Sequence, residues 1–479
     1  MDTLLTLESA KLHYIGRSIE NPHQIAIRQG ITVVAGQNGS GKSTLGAIIE
    51  RGRNLATNRI VTPDGGLVVK RIEFTDIHSL TGNKVEYHQQ RYESMANDEI
   101  PTVGELFSDR IETPRWRELE RTLRISHTIQ KRINFLSSGE LRKLLIAVAL
   151  TDDDMPGLLI LDNPYIGLDS RSRKVLDDIL PELAAGGTSV MMMVCDPADV
   201  PDYADSLITM ENMTLTGRYD RGESSLRDIA ARLFDFAVDT SALPRPADRV
   251  LAPDAGEEIV RLESCTVRYA SAVILTDVNW TIRRGERWAL AGPNGSGKST
   301  LLSLIHADNP QVYANKVSLF GRRRGTGESI WDVKRRIGYV SPEMHLYFNA
   351  GSCTALEVIA RGLMDTVGFF TRLGERELTK ARRWVRLLHI EDIADCRFTA
   401  LSSGQQRMVL LARTLIKNPE LLILDEPLHG LDSARKRAVR AIVNTLAARD
   451  GTTLIYVTHC PDEVPECVDR TLTLQSAQR

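Results

Sequence analysis

The sequence predicts an α/β fold in which one unit is written twice along 479 residues. Two observations predict it. The same ordered series of segments recurs in each half, and within each half an apolar run leads through a glycine-rich loop into a helix-spaced run, which is the strand–loop–helix pattern of a parallel sheet. The first half reads GQNGSGKST at 36–44, LSSGE at 136–140, LLILDN at 158–163 and GLD at 167–169. The second reads GPNGSGKST at 292–300, LSSGQ at 401–405, LLILDE at 421–426 and GLD at 430–432.

The glycine-rich loops follow the apolar runs 31–35 and 288–291 and precede helical runs at 45–50 and 301–306. The runs 158–161 and 421–424 are continuously apolar and end in a carboxylate, as expected of strands buried on both faces whose C-terminal ends carry chemistry. Leu226, Ile229, Leu233, Phe236 and Ala237 lie at helical spacing, so 225–238 predicts a helix closing the first repeat. The stretch after it is rich in proline and acid and propagates neither helix nor strand. The expected division is therefore a first domain over 1–240, a linker over 241–257 and a second domain over 258–479.

Composition sets outer bounds. Hydrophobic residues at 42% and charged residues at 25% are ordinary for a folded globular chain. A net charge of -2 gives no bulk positive field, so general nucleic-acid binding is not indicated. The run Arg322, Arg323, Arg324 between Gly321 and Gly325 reads as a solvated loop. Six cysteines show no C-x-x-C pair and no histidine cluster has zinc-ligand spacing, so reduced thiols are expected and no zinc. No leader is visible at Met1 to Leu5, and no apolar run approaches the ~20 residues of a membrane span, so a cytoplasmic location is expected.

A triphosphate needs many donors close together. G-x-x-x-x-G-K-[ST] supplies them, because glycines let backbone N–H groups wrap an anion at a helix N-terminus. Gly36, Asn38, Gly39 and Gly41 form one such loop, and Gly292, Asn294, Gly295 and Gly297 the other. Lys42 and Lys298 are placed to hold the β- and γ-phosphates. Ser43 and Ser299 are placed to ligate Mg2+, with Thr44 and Thr300 beside them near the α-phosphate. Asp162 and Asp425 end the apolar strands, where a carboxylate organises magnesium.

The next residue distinguishes the repeats. Glu426 is a carboxylate positioned to polarise an attacking water as general base, whereas its counterpart Asn163 cannot accept a proton. A second asymmetry agrees: LIYVTHCPDEVP at 454–465 lines up with VMMMVCDPADVP at 190–201, so His459 corresponds to Cys195. A histidine just after a buried strand can hydrogen-bond a γ-phosphate. Catalytic candidates are thus Glu426, His459 and Lys298.

Taken together, these motifs resemble the ATP-binding-cassette family over nearly the whole chain. The resemblance implies two nucleotide-binding domains, each a mainly parallel sheet with a helical subdomain, and hydrolysis of ATP with magnesium. In that family two cassettes dimerise head to tail. Carried over, Ser402, Ser403 and Gly404 close the site of the first cassette, and Ser137, Ser138 and Gly139 that of the second. Tyr14 and Tyr269 resemble the family's adenine-stacking aromatic.

Departures matter as well. The usual signature is L-S-G-G-Q, from which Ser138, Ser403 and Glu140 differ. Gln89 or Gln90 is the candidate phosphate-sensing residue of the first cassette, and Glu343 stands nearest to that role in the second. In the second half, segments such as 319–332 and 337–341 resemble the ModF-type tandem cassettes, associated by name with molybdate transport and by an older label with photorepair. That resemblance implies a protein partner, with a separate membrane permease as the importer alternative and the ribosome as a third.

Overall fold

The computed structural model describes residues 2–52, 58–63, 66–73, 101–133, 136, 138–151, 156–165, 168, 170–222, 224–235, 238–244, 256–269, 272–293, 295–342, 344, 348, 350–364 and 372–475. The chain divides into two compact units, Met1–Asp235 with Asp432–Ala434, and Phe236–Leu431 with Arg435–Arg479.

In the first unit the strands are β1 (Thr3–Leu7), β2 (Ala10–Tyr14), β3 (Arg17–Asn21), β4 (Ile25–Arg28), β5 (Ile31–Ala35), β6 (Ile60–Val61), β7 (Val69–Glu73), β8 (Leu158–Asp162), β9 (Ser189–Val194), β10 (Ser206–Glu211) and β11 (Thr214–Asp220). The main sheet runs β2-β3-β11-β10-β5-β9-β8-β7, and β10-β5-β9-β8-β7 is parallel throughout. A small antiparallel sheet, β4-β1-β6, packs beside it. Its Leu5 and Leu7 share a cluster with Leu158, Ile160, Met191 and Met193, while Leu159, Leu161, Val190 and Met192 enter a separate cluster with helical residues. This period-two split across a sheet buried on both faces is why its strands read as unbroken apolar runs.

The helical cluster draws on α2 (Pro114–Leu123) and α3 (Ser138–Thr151), which follow the P-loop helix α1 (Lys42–Ala47) in the chain. Trp116, Leu119 and Leu123 form the buried stripe of α2. Thr113 starts it by accepting a hydrogen bond from the Trp116 N–H at 3.2 Å, and Arg124 ends it in the left-handed region. α4 (Ser170–Ala185) packs on β9. The expected closing helix is present as α5 (Leu226–Ala231) plus a 3-10 turn to Phe234, capped by Ser225; Phe236 and Ala237 lie outside the described residues.

The second unit repeats the plan with β12 (Glu258–Tyr269), β13 (Ala272–Arg283), β14 (Arg287–Ala291), β15 (Lys316–Leu319), β16 (Arg322–Arg323), β17 (Ile337–Val340), β18 (Leu421–Asp425), β19 (Thr453–Val457) and β20 (Arg470–Thr473). The sheet β17-β18-β19-β14-β20 is parallel, and β13-β12-β15-β16 is antiparallel. Leu422, Leu424, Leu454 and Tyr456 face a helical cluster, and Leu421, Ile423, Ile455 and Val457 face the P-loop helix α6 (Lys298–Ile305). The helical cluster joins α7 (Ala355–Ala360), α8 (Glu375–Leu387) and α9 (Ser403–Leu415), with Ala381, Trp384, Val385 and Leu387 as the inward residues of α8.

Two sequence expectations change here. Of Arg322–Arg324 only the first two are solvated, and they form the short strand β16 rather than a loop; Arg324 is 5% exposed with Nη1 2.5 Å from Glu328. Both P-loop helices also begin earlier than the apolar spacing suggests, at Lys42 and Lys298. Gly41 (φ 104°) and Gly297 (φ 91°) cap them in a left-handed conformation that favours glycine. Among the described residues no helix is long and apolar enough to cross a membrane.

Candidate active sites

The two glycine loops are built alike. Ser40 N–H donates to Gln37 O at 3.1 Å and Ser296 N–H to Pro293 O at 3.2 Å, closing a turn in each loop. Gly39 (φ 88°) and Gly295 (φ 80°) make that turn, and both are exposed at its tip. Gly36 is buried, Gly292 and Asn38 are half-buried, and Asn294 lies outside the described residues.

Lys42 donates to Gly36 O at 2.7 Å and Gln37 O at 2.9 Å; Lys298 donates to Gly292 O at 2.7 Å and Pro293 O at 3.0 Å. Each ammonium is therefore held inside its own loop. Burial lowers the Lys298 pKa, against the pull of Asp425 and Glu426. Ser43 and Ser299 are exposed on the first turn of each helix, while Thr44 and Thr300 are buried. Sequence reasoning overlooked Ser40 and Ser296, whose hydroxyls are buried at the same point of each loop without a hydrogen-bond partner among the described residues.

The carboxylate ends differ sharply. Asp425 is 5% exposed at the end of β18, and the next residue, Glu426, has its side chain 18% exposed. Burial, followed by the nearby Glu463 charge, pushes the Glu426 carboxyl up to about 7; the His459 backbone, Lys298 and Arg407 oppose the rise. His459 Nε2 stands 3.6 Å from Glu426 Oε1, and that buried oxygen has no hydrogen-bond partner among the described residues. A carboxylate poised near neutrality at the end of a strand, with Lys298 and an imidazole beside it, has the character of a general base.

At the first carboxylate, Asn163 Nδ2 donates to Asp162 Oδ1 at 2.9 Å, and Arg71 Nη2 reaches Asp162 Oδ2 at 3.1 Å. Arg71 also pairs with Glu73. Cys195, the counterpart of His459, is 3% exposed. The sequence reading did not single out Arg71. The mismatch of Gly46 with Leu302, four residues past each P-loop lysine, was the available signal.

Ser402 caps α9, accepting from Gln405 N–H, while Gln405 Oε1 accepts from Ser402 N–H at 3.0 Å. Ser402 and Ser403 are exposed and Gly404 is buried. In the first cassette Ser137 lies outside the described residues, and Ser138 and Gly139 begin α3. Glu140, whose charge departs from the usual signature, has Oε1 2.8 Å from Lys131 Nζ and 2.6 Å from His127 Nε2. Gln89, Gln90 and Glu343 lie outside the described residues.

Tyr14 packs half-buried on the cluster of the small sheet. The Tyr269 hydroxyl accepts from Asn309 at 2.9 Å, and the same amide donates to Ser303 of α6 at 3.1 Å, tying that ring to the P-loop helix.

The sequence profile described as ABC transporter matches residues 23–166 and 275–429. The chain belongs to this family. It is a tandem-cassette ABC ATPase, with one family match in each half. It is 34% identical over 443 residues to the ABC transporter ATP-binding protein ModF of Escherichia coli, spanning 91% of this chain and 89% of that one. An uncharacterized ABC transporter ATP-binding protein of Schizosaccharomyces pombe is 29% identical over 410 residues, with 83% and 82% of the two chains covered. In fold, the chain is similar to the archaeal ribosome recycling factor aABCE1, solved with the ribosomal stalk protein aP1, at a TM-score of 0.56 and 20% identity over 97% of this chain and 87% of that one.

Proposed function

We infer that the protein binds ATP at both P-loops and hydrolyses it mainly at the second cassette, coupling the nucleotide cycle to a protein partner. One observation carries this reading: Glu426, raised to about 7 and set 3.6 Å from His459, is matched in the first cassette by an amide. Only the second cassette therefore has a group able to take a proton from water at that point.

In the reaction, Lys298 exchanges its loop carbonyls for the β- and γ-phosphate oxygens and neutralises charge there. Ser299 and Asp425 are the oxygen donors that would hold magnesium, whose charge offsets that of the phosphates. Glu426 accepts the proton of the attacking water while His459 donates a hydrogen bond to the γ-phosphate. Burial of Glu426 makes it a stronger base than an exposed glutamate once it is ionised.

In the family arrangement, Ser402, Ser403 and Gly404 cap the first nucleotide and Ser137, Ser138 and Gly139 cap the second. ATP retained at the Asn163 site then acts as a structural clamp while the Glu426 site turns over. The similarity to an ABC transporter ATP-binding protein of Escherichia coli favours a transport-associated partner, with a separate permease as the membrane component.

Affinity purification of the Glu426→Gln protein with ATP tests the coupling. The expected result is an ATP-dependent partner absent from the Lys298→Ala protein. Recovery of the same proteins with and without ATP contradicts it.

A further inference from the structure

We propose that the first cassette holds its nucleotide without a divalent cation, because Arg71 occupies the electrostatic role of magnesium opposite Asp162. This rests on the reading that the first P-loop binds ATP, and it replaces the expectation that Ser43 and Asp162 hold the ion.

Both oxygens of Asp162 are engaged, Oδ1 by the Asn163 amide at 2.9 Å and Oδ2 by Arg71 at 3.1 Å. The aspartate is 7% exposed and the Arg71 side chain 9%. A magnesium ion requires hard oxygen donors in near-octahedral array, and a carboxylate already paired with a guanidinium is a poor one.

The arginine has a place built for it. Arg71 lies on the face of β7 opposite Ile72, which enters the helical cluster, and so it faces α1. A Cβ added at Gly46 of α1 would fall 2.9 Å from Arg71 Nε and 3.0 Å from its Cδ. Any side chain at 46 would press on the course the guanidinium takes. Its Nε is buried without a hydrogen-bond partner among the described residues, a donor left over beside the P-loop helix.

The second cassette shows what the same positions hold otherwise. Arg71 registers with Ile160, two residues before Asp162, and Tyr339 with Ile423, two residues before Asp425. Gly46 and Leu302 each stand four residues after the P-loop lysine. Leu302 and Tyr339 belong to one apolar cluster. Glycine and arginine thus stand as a pair where the second cassette has leucine and tyrosine, and they bring a fixed positive charge that Asp162 and Glu73 share. A permanently ionised guanidinium can offset phosphate charge as a cation does, without exchange of a metal shell.

The test is equilibrium binding of the non-hydrolysable probe AMP-PNP to full-length protein in magnesium and in EDTA. The Lys298→Ala protein, which retains the first site, is expected to bind with affinities within about threefold of each other. The Lys42→Ala protein, which retains the second, is expected to weaken at least about tenfold in EDTA. Adding Arg71→Gln to Lys298→Ala should make the remaining binding magnesium-dependent, and Arg71→Lys should not. Unmutated protein desalted after saturation with AMP-PNP and Mn2+ should retain one Mn2+ for two nucleotides. Two retained Mn2+, or a Lys298→Ala protein that binds only with magnesium, overturns the inference and leaves the first P-loop a nucleotide site. A Lys298→Ala protein that binds in neither condition overturns both.

Discussion

Asn163 and Glu426 occupy the same backbone position of two like strands. Their φ values are 53° and 48°, and the N–H of each donates at 2.9 Å to the neighbouring strand, Asn163 to Met193 O and Glu426 to Val457 O. The left-handed region is unfavourable for a side-chain-bearing residue other than asparagine, costing on the order of 1 kcal/mol. Glu426 bears that cost and Asn163 largely escapes it, and the shared conformation aims residue 163 or 426 off the strand end. With the backbone alike, the side chain alone separates the two sites at this position.

The raised carboxyl of Glu426 makes turnover pH-dependent. Only the ionised form accepts a proton, so phosphate release should fall about tenfold per unit below pH 7 and level off above it. A profile flat from pH 5.5 to 8 is inconsistent with Glu426 as the base.

Stability carries the same titration with a definite sign. The folded value, about 7, lies above the ordinary 4.5, so the fold favours the protonated form. That stabilisation is complete below about pH 4.5 and is lost as pH rises through 7, amounting to about 3 kcal/mol. Glu426→Gln removes the titrating group, and denaturant midpoints should show the variant gaining on the unmutated protein between pH 5 and 8. Parallel midpoints across that range contradict this.

Glu420 should behave in the opposite sense. Burial alone would raise it, but Arg336 (2.6 Å) and Arg284 (2.9 Å) win and hold its carboxyl at about 2. The resulting stability is present above about pH 4.5 and is lost as pH falls toward 2. Glu420→Gln should cost the second cassette about 2–3 kcal/mol at pH 7 and nearly nothing at pH 2, read by chemical denaturation.

Gly46 and Arg71 should be coupled. Gly46→Leu alone overpacks against Arg71 and Met193, at about 1–3 kcal/mol. Arg71→Tyr alone leaves Asp162 buried without its cation, at about 3–5 kcal/mol. The double variant recreates the pair Leu302 and Tyr339 of the second cassette, so its cost should fall below the sum by at least about 1 kcal/mol. Strict additivity would mean that the two positions do not share one space.

Much of this was legible in the chain. The doubled series of motifs implied two α/β units, and the runs 158–161 and 421–424 are β8 and β18, because burial on both faces leaves no polar alternation to confuse them. The asymmetry of Asn163 and Glu426 is visible in the letters themselves. Arg71 was not, because it lies at the edge of the sheet among the described strands, with only Ile72 buried, and reaches Asp162 across 91 residues of sequence. Arg324 was misread for a related reason: its partner Glu328 follows a turn, and nothing in a run of three arginines marks which one points inward.

The most direct test compares steady-state phosphate release by the Glu426→Gln and Asn163→Ala proteins at pH 8 with saturating ATP and magnesium. A missing general base costs about 10²- to 10⁴-fold, so Glu426→Gln should lose nearly all turnover while Asn163→Ala keeps most of it. Equal residual rates in the two variants would contradict hydrolysis centred on the second cassette.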